Sequence, residues 1–149
     1  SELIAGQRPE IIDPNDPGRL ELLDIPHGVE IYEVNGPFFF GVADTLMDTL
    51  LQLDAPPRVF ILRLRAVPHI DATGLHAIEE FVNKCKRQGT TLLFGGVHAQ
   101  PMFEMTKVGL VDMIGVENIF GDVQEALNKA SELLRDSLST NEHDGNNFR

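Results

Sequence analysis

The segment Val67-Pro68-His69-Ile70-Asp71-Ala72-Thr73-Gly74-Leu75 gathers the side chains of this chain best placed to do chemistry. Asp71 stands where an apolar run gives way to an amphipathic one. Its carboxylate can accept hydrogen bonds from the unpaired amides of a first helical turn and is favoured by the positive end of the helix dipole. Gly74 lets a second backbone come close. Three other chemistries are open to the side chains present. His69, Asp71, His76 and His98 are ordinary zinc-ligand types. No two of these histidines sit at i and i+4, however, and His76 falls over the turn from His69 and Asp71, so the spacing argues against a metal site. Cys85 lies at the core spacing of its helix rather than at a helix start, and the chain has no Gly-x-Ser-x-Gly elbow, which removes the support for a nucleophilic hydrolase. Gly95-Gly96-Val97-His98 ends a strand beside a helix start, where backbone amides can hold an anion. It lacks the lysine and the longer glycine spacing of a phosphate-binding loop. These residues point to binding rather than catalysis and imply no cofactor. The candidate groove for an anion or nucleotide is formed by Asp71, Thr73, Gly74, Gly95 and Gly96.

Strand and helix patterns position these residues. Arg58-Val59-Phe60-Ile61-Leu62-Arg63-Leu64 is nearly continuous in apolar side chains, as a strand covered on both faces should be. It runs into the Asp71 turn and then into a helix whose core face is Leu75, Ile78, Phe81, Val82 and Cys85; Lys84, Lys86 and Arg87 cluster at its carboxyl end and Gly89 stops it. Upstream, Leu20 to Ile25 and Val29 to Val34 flank Pro26-His27-Gly28, which predicts a hairpin. Val42, Leu46, Leu50 and Leu53 recur at helical spacing, and Pro56-Pro57 closes that helix. Downstream, Thr90 to Phe94 predicts a buried strand, residues from about Gln100 to Val108 a helix, and Val116 to Ile119 a short strand. Asp122 caps a last helix built on Val123, Ala126, Leu127, Ala130, Leu133 and Leu134. The expectation is an α/β domain over residues 20–136, with a central, mixed, mostly parallel sheet, an amino-terminal hairpin and about four packed helices.

Composition narrows the function. With 149 residues, 42% hydrophobic and 23% charged, the chain suits one domain with a single core. A formal charge of −11 repels phosphate backbones and anionic headgroups, so nucleic acid is excluded as a partner and direct adsorption to a membrane is disfavoured. The lone cysteine forms no internal disulfide, which fits a reducing compartment. No apolar run approaches the roughly 18 residues needed to cross a bilayer, and no signal peptide opens the sequence. Pro9, Pro14, Pro17 and Gly18 give residues 1–19 the composition of a linker, and Ser1 to Gln7 read as the interior of something longer. Residues 137–149 are polar and asparagine-rich and predict a disordered tail.

The order strand, Asp71-Ala72-Thr73-Gly74, helix resembles the STAS domain shared by bacterial anti-sigma factor antagonists and the cytoplasmic tails of SulP-type anion transporters. Gly28-Val29-Glu30-Ile31-Tyr32-Glu33-Val34-Asn35-Gly36-Pro37-Phe38-Phe39-Phe40-Gly41 looks like the SulP version of the upstream segment. The resemblance covers residues 20 to 135. It implies a STAS-like fold, no enzymatic activity, and a domain at the cytoplasmic face of the inner membrane. The parent protein would be a carrier of sulfate, bicarbonate, dicarboxylate or a similar anion. The implied partners are the parent's transmembrane domain, a second copy of the chain and a cytosolic regulatory protein, and the implied roles are dimerisation, gating or trafficking. In the free-standing antagonists the residue after the Asp is a phosphorylatable serine. Ala72 replaces it here, which counts against the alternative of a partner-switching antagonist. An anion or nucleotide sensor is the other alternative. Phe38, Phe39 and Phe40 point alternately to two sides of an extended segment, and one side is the candidate docking surface.

Overall fold

A computed structural model describes residues 2–5, 23–35, 42–53 and 55–147. Strand β3 (Val59–Ala66) is buried from Val59 to Leu64, and its apolar side chains serve two different cores. Strand β2 (Val29–Asn35) flanks it on one side and strand β4 (Thr91–Gly95) on the other, with β1 (Glu2–Ala5) and β5 (Ile119–Phe120) outermost. All four pairings are parallel and the spatial order follows the chain, β1-β2-β3-β4-β5. Parallel crossovers share one hand, so a sheet laid down in chain order places its connecting helices on one face. Those helices are α1 (Val42–Leu51), α2 (Ala72–Gln88), α3 (Ala99–Lys107) and the short α4 (Leu110–Ile114); α5 (Val123–Asn147), which follows the last strand, covers the other face.

Side-chain alternation along the strands divides the core accordingly. Tyr32, Phe60, Leu62 and Phe94 pack under Leu46, Ile78, Phe81, Met105 and Leu110, with the Phe60 and Phe81 rings edge to face at 5.1 Å. Val29, Ile31, Val59, Ile61 and Leu93 pack under Val123, Ala126, Leu127 and Ala130. Each fully buried large side chain contributes about 1.5–3 kcal/mol by removal from water. At the carboxyl end of the α5 face the strands change character. Glu33 of β2 lies in register with Arg63 of β3, and Arg63 Nη1 donates to Glu33 Oε1 at 2.9 Å, both residues being buried; Arg65 Nε lies 3.6 Å from Glu33 Oε2.

The α/β fold and the helix faces agree with the sequence expectation, and four details differ. The sheet is parallel in every described pairing, so the amino-terminal hairpin is corrected: residues 23–28 are irregular, and Leu23 and Ile25 cover the α5-side core instead of pairing. Pro26 has no amide to donate to a ladder, and Gly28 turns the chain at φ 94°. Residues 20–22 lie outside the described residues. The place beside β2 is taken by β1, which falls inside the stretch read as a linker. The segment after Gly109, expected to yield only a short strand at Val116 to Ile119, also forms α4 and a single 3₁₀ turn at Val116–Asn118, and the strand is confined to Ile119–Phe120. Helix α5 runs through 137–147, where composition predicts a disordered tail; extending a formed helix is far easier than nucleating one, so polar residues can continue it.

Candidate functional site

The Asp71 turn is built by a helix cap. Asp71 has extended backbone geometry, its Oδ1 accepts from the Gly74 amide at 2.9 Å, and its carbonyl accepts the first helical bond from Leu75 at 2.9 Å. Gly74 and Leu75 are drawn into the core while Asp71, Ala72 and Thr73 stay exposed, so the turn presents an acid, a methyl group and a hydroxyl to solvent at the start of α2. Gly89 ends the same helix in the left-handed region at φ 76°, as its place in the sequence requires.

A residue invisible to the sequence argument holds this turn in place. Gln100, in the first turn of α3, donates from Nε2 to the Ile70 carbonyl at 3.1 Å and accepts the Ile70 amide on Oε1 at 2.9 Å. Its side-chain amide thus pairs with the backbone just before the cap as a neighbouring strand would. Nothing in local spacing announces a contact 30 residues apart, and a glutamine in a first helical turn gives no sign of its partner. His98, the residue before α3, donates from Nε2 to the Arg65 carbonyl, which ties the start of α3 to β3 as well.

The glycine pair has a packing explanation. A Cβ on Gly95 would meet the Val123 backbone at 3.1 Å, and a Cβ on Gly96, whose φ is 73°, would meet Arg65 Cβ at 2.9 Å. The left-handed backbone and close approach to β3 therefore demand glycine at 96, and tight packing of β4 on the start of α5 favours it at 95, independently of any ligand. The Asp71 turn borders a different opening, a shallow notch of about 190 Å³ lined by Ala72, Leu75, His76, Glu79, Val108 and Leu110.

The remaining candidates disperse. His69 is exposed, His76 pairs with Glu80 at 2.7 Å and Glu79 at 3.7 Å, and His98 is engaged with Arg65. Among the described residues no group of three or more His, Cys, Asp or Glu is placed to hold an ion. Cys85 is buried, and burial pushes its thiol up to about 12, which keeps it protonated and unreactive at neutral pH. Phe38, Phe39 and Phe40 lie outside the described residues. No described helix is long and apolar enough to cross a membrane.

Comparison with known proteins places this geometry among its relatives. A family model described as the STAS domain matches residues 22–126. The crystal structure of a sulfate transporter family protein from Wolinella succinogenes is 45% identical and superposes with a TM-score of 0.78, covering 81% of this chain and 99% of that one. The STAS domain of a SulP transporter from Vibrio cholerae is 28% identical with a TM-score of 0.70, over 76% of this chain and 88% of that one. YvdB of Bacillus subtilis (strain 168), which carries a sulfate-transporter name, is 31% identical over 93 residues; the match takes in 62% of this chain and only 18% of that protein's length.

Proposed function

We propose that this chain, which belongs to the STAS domain family, serves as the cytoplasmic regulatory and interaction domain of a SulP-type anion transporter. The observation that carries the reading is the exposed Ala72 directly after the capping Asp71. The turn keeps the presentation of a docking site, with a rigid cap and a buried glycine behind it, while the position that a kinase would modify in an antagonist holds a methyl group. A binding site without that covalent switch suits a domain permanently attached to the machinery it controls. The likeness to solved domains of sulfate-transporter and SulP proteins supports the same reading. In this reading the partner is the transmembrane part of the parent, and the domain biases transport by binding one arrangement of that part better than another. The transported anion is of the sulfate, bicarbonate or dicarboxylate class.

The test is made on the complete gene product. The reading expects about ten or more apolar spans of some 20 residues ahead of the domain, and altered anion uptake when residues 20–136 are deleted at equal membrane abundance. A start codon immediately before Ser1, or uptake and assembly unaffected by the deletion, would overturn it.

A further inference from the structure

The notch beside Ala72 supports a more specific statement, which rests on the transporter reading. Leu75 and Leu110 belong to the core below, and Val108 stands over them 56% exposed. Few large apolar side chains of the described residues are so open to water, and this one borders a concavity. The rim is acidic. Glu79 lines the notch, Glu80 adjoins it on α2, and both reach toward His76. Asp71, exposed, precedes Ala72. The nearest lysine in sequence, Lys107, is paired with Glu104 at 3.0 Å and lies 5.2 Å over the Phe103 ring. At about 190 Å³ the opening is below the roughly 300–1,000 Å³ of small-molecule sites and has room for one apolar side chain.

From this geometry we infer that the notch receives an apolar side chain carried on a lysine- and arginine-rich segment, the chemistry of the transporter's own cytoplasmic loops. Loops on the cytoplasmic side of membrane proteins carry an excess of Lys and Arg. A domain of charge −11 attracts them over about a Debye length, roughly 8 Å at physiological salt, and the apolar anchor then fixes where they sit. A second copy of the chain would bring the same acidic rim to face its own and is disfavoured; a free anion meets the wrong sign of charge.

The experiment is an NMR titration of the isotopically labelled chain with three short synthetic peptides. One has a leucine flanked by lysines and arginines; the second has serine in place of the leucine; the third has glutamates in place of the basic residues. The basic leucine peptide is expected to shift the amides of residues 72–76 and 108–110 saturably and to bind about fivefold more weakly between about 50 and 300 mM salt. The serine and glutamate peptides, and the variants Val108→Lys and Glu79→Lys titrated with the leucine peptide, are each expected to bind about tenfold more weakly. Unperturbed spectra of the two variants would show that they fold. Shifts centred elsewhere, equal binding of the serine peptide, or no saturable binding would overturn the assignment. Each of those results leaves the transporter reading standing, because the domain deletion tests it without involving the notch.

Discussion

Gln100 grips Ile70 by both sides of its backbone, accepting its amide at 2.9 Å and donating to its carbonyl at 3.1 Å. The exposed turn at Asp71 is therefore fixed at one end by its own cap and at the other by a side chain from α3. A contact that moves α3 moves the turn.

Replacing Gln100 by leucine should leave both Ile70 groups without partners at a part-buried position, at a cost of about 1–3 kcal/mol. Hydrogen exchange should rise at residues 70–73 more than in the centre of β3. Uniform acceleration across the domain would mean that the clamp supports the whole fold rather than the turn.

Asp71→Ala should cost about 0.5–2 kcal/mol in urea denaturation, since the Gly74 amide loses its acceptor. Asp71→Asn should recover most of that, because a neutral amide oxygen still caps. Equal losses in both would assign the stabilisation to charge at the helix start instead of to the hydrogen bond.

Incubation with an antagonist-type kinase should leave position 72 unmodified, and Ala72→Ser should acquire phosphate there by mass spectrometry. The new group would bring about 1.5–2 negative charges to the start of α2, favoured by the helix dipole and opposed by Asp71. Stoichiometric phosphate on Thr73 of the native chain would instead establish a switch displaced by one residue.

Alkaline pH should weaken the fold in a defined window. Burial pushes the Tyr32 hydroxyl up from 10.0 to about 12, against a smaller opposing effect of the neighbouring Thr49 side chain, and pushes the Cys85 thiol up from 9.0 to about 12. Both groups ionise earlier in the unfolded chain, so that state holds fewer protons and stability falls as pH rises. The contribution is intact below about 9 and is lost on approaching 12. Tyr32→Phe should flatten the pH dependence of urea stability between 10.0 and about 12. An unchanged slope would assign the loss to other groups.

Removing one member of the Glu33–Arg63 pair should be far worse than removing both. Glu33→Leu takes from the buried Arg63 guanidinium the carboxylate it donates to, and from Arg65 its ion pair, and should cost about 3–5 kcal/mol, whereas the Glu33→Leu, Arg63→Leu double variant should recover much of it. A double variant as unstable as the single one would mean that Arg63 is needed for contacts other than Glu33.

Local patterning made much of this fold legible. Leu75, Ile78, Phe81, Val82 and Cys85 recur with the helical period and are all buried on α2, and Asp122 caps α5 through the Glu125 amide at 2.9 Å. Long-range choices were not legible. Leu23 and Ile25 alternate like a strand, yet an alternating pair can as well cover a core edge, and only the presence of Glu2–Ala5 beside β2 decides between the two. Glu33 and Arg63 each read as polar interruptions of an apolar strand until register sets them side by side. At the site, the Asp71 cap followed from residue type and spacing. Gln100 did not, because a glutamine at a helix start carries no sign of which backbone it will meet.

Among the described residues one helix, α5, supplies most of the cover of a whole face of the sheet, with Leu23 and Ile25 at its edge, and that helix follows the last strand. During synthesis Val29, Ile31, Val59, Ile61 and Leu93 emerge well before residues 123–130, which bury them. Until α5 leaves the ribosome the nascent domain shows water an apolar sheet face that only Leu23 and Ile25 cover among the described residues, and its residence in that state sets its exposure to chaperones and to aggregation. Slower elongation between Gly95 and Val123 should therefore lower the soluble yield, and substitutions that weaken the cover of Leu127 should act in the same direction.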